Sequence, residues 1–188
     1  MAKPSDETLI CEYANGDFSA FEMLYARHKG GVYRYIKRQC RDQSLVDDLY
    51  QEVWAKVIDS AASYQQKAKF NVWLYTIARN KLIDQVRHLT LVYKVIDTSQ
   101  ANAERTQGNC NIDLIYDNLK SAKVIRYCVG KLPQVQLDSF LLKEEGNLAI
   151  ADIAQIVGAT FEATKGRLRY AYRSLRQCIE AKIGKQVA

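Results

Sequence analysis

Apolar residues recur along this chain every three or four positions, which is the spacing of amphipathic helices. No run of alternating β-branched residues is long enough to predict a sheet, and the chain contains only two prolines. In the first half, the pattern predicts helices over residues 6–14, 19–40, 44–58 and 70 to about 90. Ser44 is the predicted N-cap of the third helix. The pattern as a whole predicts an all-α fold.

From about Thr90 to Asp117 the helical pattern fades into a polar segment, which predicts a flexible linker between two small domains. Periodicity returns at Leu119, and Pro133 then occupies the first turn of another helix. The buried faces predicted for these two helices contain Ile125, Cys128, Val129, Leu132, Val135, Leu137, Phe140 and Leu141. The predicted organisation is a domain over 1–90, a linker over 91–117 and a domain over 118–188.

The segment 148–179 contains a short apolar helix that ends at Gly158, followed by a long basic helix that begins near Thr160. The small side chain of Ala154 allows two helices to approach closely, and Gly158 relieves the backbone at a sharp turn. This spacing predicts a helix-turn-helix whose second helix enters the major groove of DNA. The cations near the start of that helix are Lys165, Arg167 and Arg169.

A second informative segment, residues 70–87, is unusually aromatic and basic for a helix. Its predicted core stripe consists of Leu74, Ile77, Ala78 and Leu82. Trp73, Asn80 and Arg87 follow at intervals of seven residues and occupy a more exposed face. Aromatic rings that stack on bases, next to cations that meet phosphates, are typical of proteins that bind single-stranded nucleic acid. From this segment alone, a half-buried helix whose aromatic rings belong to the core remains equally open.

Composition and charge fit a folded DNA-binding protein without requiring one. The 188 residues are 48% apolar and 26% charged, with a net charge of +6. No window is apolar enough to span a bilayer, and the first residues lack the apolar stretch of a secretion signal, so we expect a cytoplasmic protein without membrane insertion. Acidic residues dominate 42–59, whereas basic residues dominate from 160 onward.

Candidate metal and redox chemistry is sparse. The five cysteines are odd in number and far apart, with no CxxC pair, so the sequence predicts neither a zinc site nor a disulfide framework. We expect these cysteines to be small, partly buried residues in a reducing compartment. His28 and His88 stand alone and suggest no metal site. No cofactor is expected.

In the order in which they occur, these motifs resemble the extracytoplasmic-function (ECF) group of bacterial sigma factors in the sigma-70 family. Residues 47–54, DDLYQEVW, are similar to the helix with which that family docks on polymerase. Residues 70–87 resemble its promoter-melting helix, which reads the −10 element. Residues 132–133, 153–158 and 165–168 resemble its helix-turn-helix, which reads the −35 element. The resemblance covers nearly the whole chain.

The resemblance implies a sigma factor without enzymatic activity of its own, whose partners are bacterial core RNA polymerase, promoter DNA and an anti-sigma factor. On polymerase the implied docking partners are the β′ clamp helices and the β flap. The residues implied to bind core polymerase are Asp48, Leu49, Gln51 and Glu52, although Leu49 also suits packing. Those implied for −10 binding and melting are Tyr64, Gln65, Phe70, Trp73, Asn80, Lys81 and Arg87. Those implied for −35 binding are Thr164, Lys165, Arg167, Arg169, Tyr170 and Arg173.

Two positions depart from the family pattern, and two other functions remain to be weighed. Gly166 stands where the family usually has Ser or Thr, and Tyr170 stands where a basic residue is common, which suggests a distinctive −35 sequence. A stand-alone helix-turn-helix regulator explains the basic C-terminal helix but gives no role to the acidic helix. A nucleic-acid enzyme such as a recombinase needs a nucleophile or a set of metal-binding carboxylates, which the sequence does not supply.

Overall fold

The computed structural model describes residues 3–40, 42–65, 68–97 and 117–184, and within these ranges the regular structure is helical, as the sequence predicts. The first four helices are α1 (Asp6–Ala14), α2 (Phe18–Lys37), α3 (Gln43–Ser60) and α4 (Phe70–Asp97), with a 3₁₀ turn at Ala61–Ser63. The last four are α5 (Asp117–Val129), α6 (Gln134–Glu144), α7 (Ile150–Val157) and α8 (Phe161–Gly184). We call α1–α4 the N-terminal unit and α5–α8 the C-terminal unit.

Polar side chains fix where the first three helices begin. Ser5, Asp17 and Asp42 each accept a hydrogen bond from a backbone N–H in the first turn of the helix that follows. These bonds satisfy donors that the helix itself leaves without partners. The prediction that Ser44 caps α3 is wrong by two residues, because Asp42 Oδ1 accepts from the Ser44 N–H at 2.9 Å.

Helix α4 is longer than the sequence pattern indicates. It continues to Asp97, so the first part of the predicted 91–117 linker is helical, while residues 98–116 lie outside the described part of the chain. The buried faces of α5 and α6 are also narrower than predicted. Ile125 and Val135 are 45% and 55% exposed, because only the sides of these helices that face their neighbours are covered.

A disulfide bond corrects the expectation for the cysteines. Cys128 of α5 and Cys178 of α8 are bonded, with their Cα atoms 5.8 Å apart, although 50 positions separate them in the sequence. Packing of α5 against α8 brings the two thiols together, which spacing along the chain does not reveal. The bond joins the first and last helices of the C-terminal unit.

The two units share one continuous hydrophobic core. It extends from Leu9 and Ile10 of α1, through Leu74 of α4, to Leu141 of α6 and Leu168 of α8. The helix-turn-helix forms as predicted, with Gly158 in the left-handed conformation (φ 65°) at the end of α7 and α8 beginning three residues later. None of the described helices is both long and apolar enough to cross a membrane.

Candidate nucleic-acid interface and acidic surface

The acidic surface lies on α3, where Asp48, Gln51 and Glu52 are exposed. Their spacing places them together on one side of the helix. Leu49 faces the opposite way and is only 2% exposed, in the same buried stripe as Val46 and Val53. Leu49 therefore supports the helix from inside, and a polymerase contact of its side chain stays a prediction.

An ion pair connects the acidic surface to α4. Lys81 Nζ lies 2.8 Å from Glu52 Oε2, and both side chains are partly exposed. Asp48, in contrast, has no ion pair within the described residues. A protein partner could therefore pair with Asp48 without first breaking a contact within the chain.

Three aromatic rings cluster at the start of α4. The ring centroid of Tyr64 lies 5.2 Å from that of Trp73 and 6.3 Å from that of Phe70. Phe70 is completely buried, in line with Leu74 and Ala78, so its ring cannot stack on a base in this conformation. The −10 role of Phe70 therefore stays a prediction, and in the described conformation its ring packs in the core. Tyr64 and Trp73 are partly exposed and remain available for stacking.

The loop beside these rings is held by a hydrogen bond from Tyr64 Oη to the Ala68 carbonyl at 2.6 Å. Burial is the main cause that raises the pKa of Tyr64 to about 12, so the hydroxyl keeps its proton and donates at neutral pH. Gln65 directly follows Tyr64 in the chain, and its exposed side chain is accessible to a ligand.

Glu7 of α1 caps the first turn of α4 from a distant part of the chain. Its Oε1 accepts a hydrogen bond from the Phe70 N–H at 2.9 Å. That bond is the largest cause of a pKa below the ordinary value of 4.5 for Glu7. The negative charge also lies at the positive end of the helix dipole. Glu7 thereby fixes the start of α4, where the aromatic cluster lies.

We expect Glu7→Gln to lower the free energy of unfolding by about 1 kcal/mol, because the amide keeps an acceptor oxygen but loses the charge. Since folding depresses the pKa of Glu7, its contribution is complete above pH 4.5 and is lost as the pH falls through the folded value. Urea unfolding between pH 7 and pH 3 measures this difference. Glu12→Gln, an exposed change on the same helix, serves as the control. Equal pH profiles for native chain and Glu7→Gln would contradict the assignment.

The polar residues of α4 differ in accessibility. Asn80 and Arg87 are exposed on the same side of the helix, as predicted, and Arg87 lies 3.6 Å from Asp84. Lys81 is occupied by its ion pair with Glu52. Arg79 points to the C-terminal unit, where it forms an ion pair with Asp138 of α6. Trp73, Asn80 and Arg87 thus remain the accessible residues of the predicted strand-binding face.

The basic surface of α8 retains most of the predicted residues. Lys165, Arg169, Tyr170 and Arg173 are exposed, and Arg167 is half-buried. The guanidinium of Arg169 lies over the ring of Tyr170, 5.2 Å from its centroid. A side chain added at Gly166 would meet no atom within 4 Å, so this position opens towards a ligand.

Thr164, one of the residues predicted to bind the −35 element, lies in the core of the C-terminal unit. It is completely buried, and its hydroxyl has no hydrogen-bond partner. The reason is its helical register, because Thr164 shares the inward stripe of Leu168, Ala171 and Leu175. This stripe was readable from the sequence. In the described conformation Thr164 supports α8 from inside.

Tyr172 and Arg176 belong to the basic surface of α8, although the sequence prediction did not include them. Arg169, Tyr172, Arg173 and Arg176 line a shallow cavity of about 250 Å³ on α8. Tyr172 is fixed there by donating its hydroxyl hydrogen to Glu144 of α6. Three of the four lining residues are arginines, so the helix surface around the cavity is basic. The signal for Arg176 was present as the spacing of 169, 173 and 176 on one face of a helix.

Among residues 3–40, 42–65, 68–97 and 117–184, no three histidine, cysteine or carboxylate side chains converge as metal ligands would. The arrangement instead provides an acidic surface, an aromatic surface and a basic surface on three different helices. Each of these suits binding by charge pairing or stacking.

The sequence of the chain is similar to those of known sigma factors. The family model of sigma-70 region 2 matches residues 24–91, from within α2 to within α4. The chain is 27% identical over 183 residues to the ECF RNA polymerase sigma factor SigK of Mycobacterium ulcerans, with 92% of each chain covered. It is 26% identical over 184 residues to SigK of Mycobacterium bovis, with 93% of each covered.

Two solved structures share the fold. The structure of CnrH in complex with the cytosolic domain of CnrY aligns with a TM-score of 0.68 at 21% identity, covering 95% of this chain and 99% of that one. The sigma factor RpoE in complex with the anti-sigma factor NepR from Bartonella quintana aligns with a TM-score of 0.66 at 18% identity, covering 85% and 96%. The likeness in fold therefore extends over both units.

Proposed function

We propose that this chain, which belongs to the extracytoplasmic-function group of the sigma-70 family, binds bacterial core RNA polymerase and directs it to promoter DNA. In this proposal the N-terminal unit docks on polymerase and holds the melted −10 strand. The C-terminal unit holds the −35 duplex with α8 and contacts the β flap. The chain acts in the cytoplasm, performs no chemical step itself, and is held inactive by an anti-sigma factor.

The proposal rests on the contact between α3 and α4. This contact connects the acidic surface of α3 to the predicted strand-binding face of α4. The acidic surface of α3 contacts α4 through the Glu52–Lys81 ion pair, and α4 also carries Trp73 and Asn80. A partner bound to α3 is therefore held at a fixed distance from a single strand bound to α4. This geometry suits a protein that must position an opened strand on a polymerase.

Opening of the duplex follows from selective binding. Tyr64 and Trp73 offer ring surfaces that only an unpaired base can reach, and Gln65 and Asn80 offer amides to its edge. Binding of the unpaired strand lowers the free energy of the melted state without affecting that of the duplex. Lys165, Arg169 and Arg173 meanwhile contact duplex phosphates and base edges upstream.

Binding to purified bacterial core RNA polymerase, measured by co-elution in size-exclusion chromatography, tests the proposal. We expect the native chain to co-elute with core polymerase, and the complex to protect a melted strand on promoter DNA. Absence of co-elution, together with cooperative binding of a palindromic duplex by the chain alone, would support a stand-alone helix-turn-helix regulator instead.

A further inference from the structure

We propose that the two units form a closed, self-inhibited state held by two carboxylates of α6, Asp138 and Glu145. The inhibitory role rests on the proposed function, whereas the closed state itself does not. Each carboxylate contacts side chains of the N-terminal unit at short distances. We call these contacts the interunit latch.

The first half of the interunit latch centres on Asp138. Its Oδ2 lies 2.7 Å from Arg79 Nε, and its Oδ1 accepts a hydrogen bond from Tyr35 Oη at 2.9 Å. Arg79 also donates from a terminal nitrogen to the Ile156 carbonyl at 3.2 Å. The side chains of Arg79 and Asp138 are only 22% and 14% exposed, so water and salt screen this pair weakly.

The second half centres on Glu145, just after the C-terminal end of α6. Arg34 Nε and Arg38 Nε lie 2.6 Å and 3.1 Å from its two carboxylate oxygens, and the Glu145 side chain is 7% exposed. Tyr75 Oη donates to the Glu145 carbonyl at 2.6 Å. Burial raises the pKa of Tyr75, so its hydroxyl donates throughout the physiological range. A buried carboxylate between two arginines is costly to separate from them.

Gly31 shows that α2 is built for this close approach. A Cβ atom at Gly31 would lie 2.6 Å from Tyr75 Oη and 2.8 Å from the Glu145 carbonyl oxygen. The neighbouring Gly30 has more room, because a Cβ there would meet only the movable guanidinium of Arg34, at 3.0 Å. The chain therefore requires glycine at 31 because the other unit lies against it.

The closed state cannot read both promoter elements at once. Elements centred 10 and 35 base pairs upstream are separated by about 25 base pairs, or about 85 Å along a duplex. A compact chain of this length has a radius of gyration of about 16 Å and a diameter of about 40 Å. The covalent length of residues 98–116 permits the units to part by up to about 65 Å. Promoter recognition therefore requires the interunit latch to open.

Small-angle X-ray scattering of the full-length chain, without polymerase or DNA, tests the closed state. We expect a radius of gyration near 16 Å for the native chain and for Gly166→Ala, whose added Cβ meets no atom within 4 Å, and above about 20 Å for Gly31→Ala. Asp138→Arg, which places two cations together, should also open the chain. Adding Arg79→Asp to Asp138→Arg should close it again, which a merely misfolded variant would not do.

Circular dichroism shows whether each variant is helical. If Gly31→Ala does not fold, the comparison of Asp138→Arg with the double variant Asp138→Arg/Arg79→Asp tests the closed state. An extended native chain would overturn the closed state, as would folded opening variants that keep the native radius.

The affinity for core polymerase shows whether the closed state also inhibits polymerase binding. We expect the opened variants to bind about tenfold more tightly than the native chain, because more of the population is competent to bind. Unchanged affinity in opened variants would overturn the inhibitory role. Failure of every variant to bind polymerase, with the scattering results as expected, would overturn the proposed function but not the closed state.

Discussion

The Phe70→Ala variant should lose about 3–5 kcal/mol of unfolding free energy, because a buried aromatic ring is replaced by a cavity. Phe70 has no exposed surface, and its ring centroid lies 5.3 Å from that of His28 and 5.8 Å from that of Trp73. All of these rings belong to the N-terminal unit, so opening of the interunit latch would not relieve the loss. Urea unfolding followed by circular dichroism measures it.

Trp73→Ala is the matched control, since Trp73 is one helical turn away but partly exposed. It should weaken binding of the melted strand by about 1–3 kcal/mol, the contribution of one stacked base, and lower stability less than Phe70→Ala does. A stable Phe70→Ala variant that has lost strand binding would contradict the buried assignment and restore the base-stacking role that the sequence suggested.

The Asp48→Lys variant should bind core RNA polymerase about 100-fold more weakly than the native chain, because an attractive charge in a desolvated interface becomes a repulsive one. Asp48 is exposed and has no ion pair within the described residues, so the free energy of unfolding should change by less than about 0.5 kcal/mol. Fluorescence anisotropy of the labelled chain, titrated with core polymerase at two salt concentrations, measures the affinity.

Asp59→Lys provides the control for this charge reversal. Asp59 is an exposed carboxylate on the same side of α3, about three helical turns away, so the net charge changes equally. Native-like affinity in Asp59→Lys and weak affinity in Asp48→Lys would place the contact at the acidic surface. Equal weakening in both would indicate a long-range charge effect, and no weakening in either would contradict polymerase docking by α3.

Glu52 is less suitable for the same experiment. Reversal of Glu52 also breaks its 2.8 Å ion pair with Lys81 and brings two cations close together between α3 and α4. A loss of binding would then combine a changed surface with a disturbed strand-binding helix. Only the structure distinguishes the two carboxylates, because the sequence gives Asp48 and Glu52 the same apparent role.

The helices and the helix-turn-helix were predictable because their signals are local. Helix α1 occupies the predicted residues, and the turn after α7 forms at Gly158, where a left-handed backbone favours glycine. Leu168, Ala171 and Leu175 of α8 are buried, in keeping with their spacing of three and four positions. In each case the deciding interactions lie within a few residues, so spacing and residue type suffice.

Helical register separates three of the predicted binding residues from the others. Leu49, Phe70 and Thr164 each fall in the inward stripe of their own helix. The sequence contains this register, which predicts burial of all three side chains independently of the resemblance. The exposed members of the same sets, such as Gln51, Trp73 and Lys165, lie on the other faces of the same helices.

The sequence by itself determined the all-α composition, most helix positions, the helix-turn-helix and the segregation of acidic and basic surfaces, because these depend on periodicity and on charge order along the chain. Tertiary structure alone decided the Cys128–Cys178 bond, the Glu7 cap on α4 and the pairing of Arg79 with Asp138. Each of these joins groups separated by 50 or more positions. No local pattern carries that information, because such contacts form only when packing of the apolar stripes has brought distant helices together.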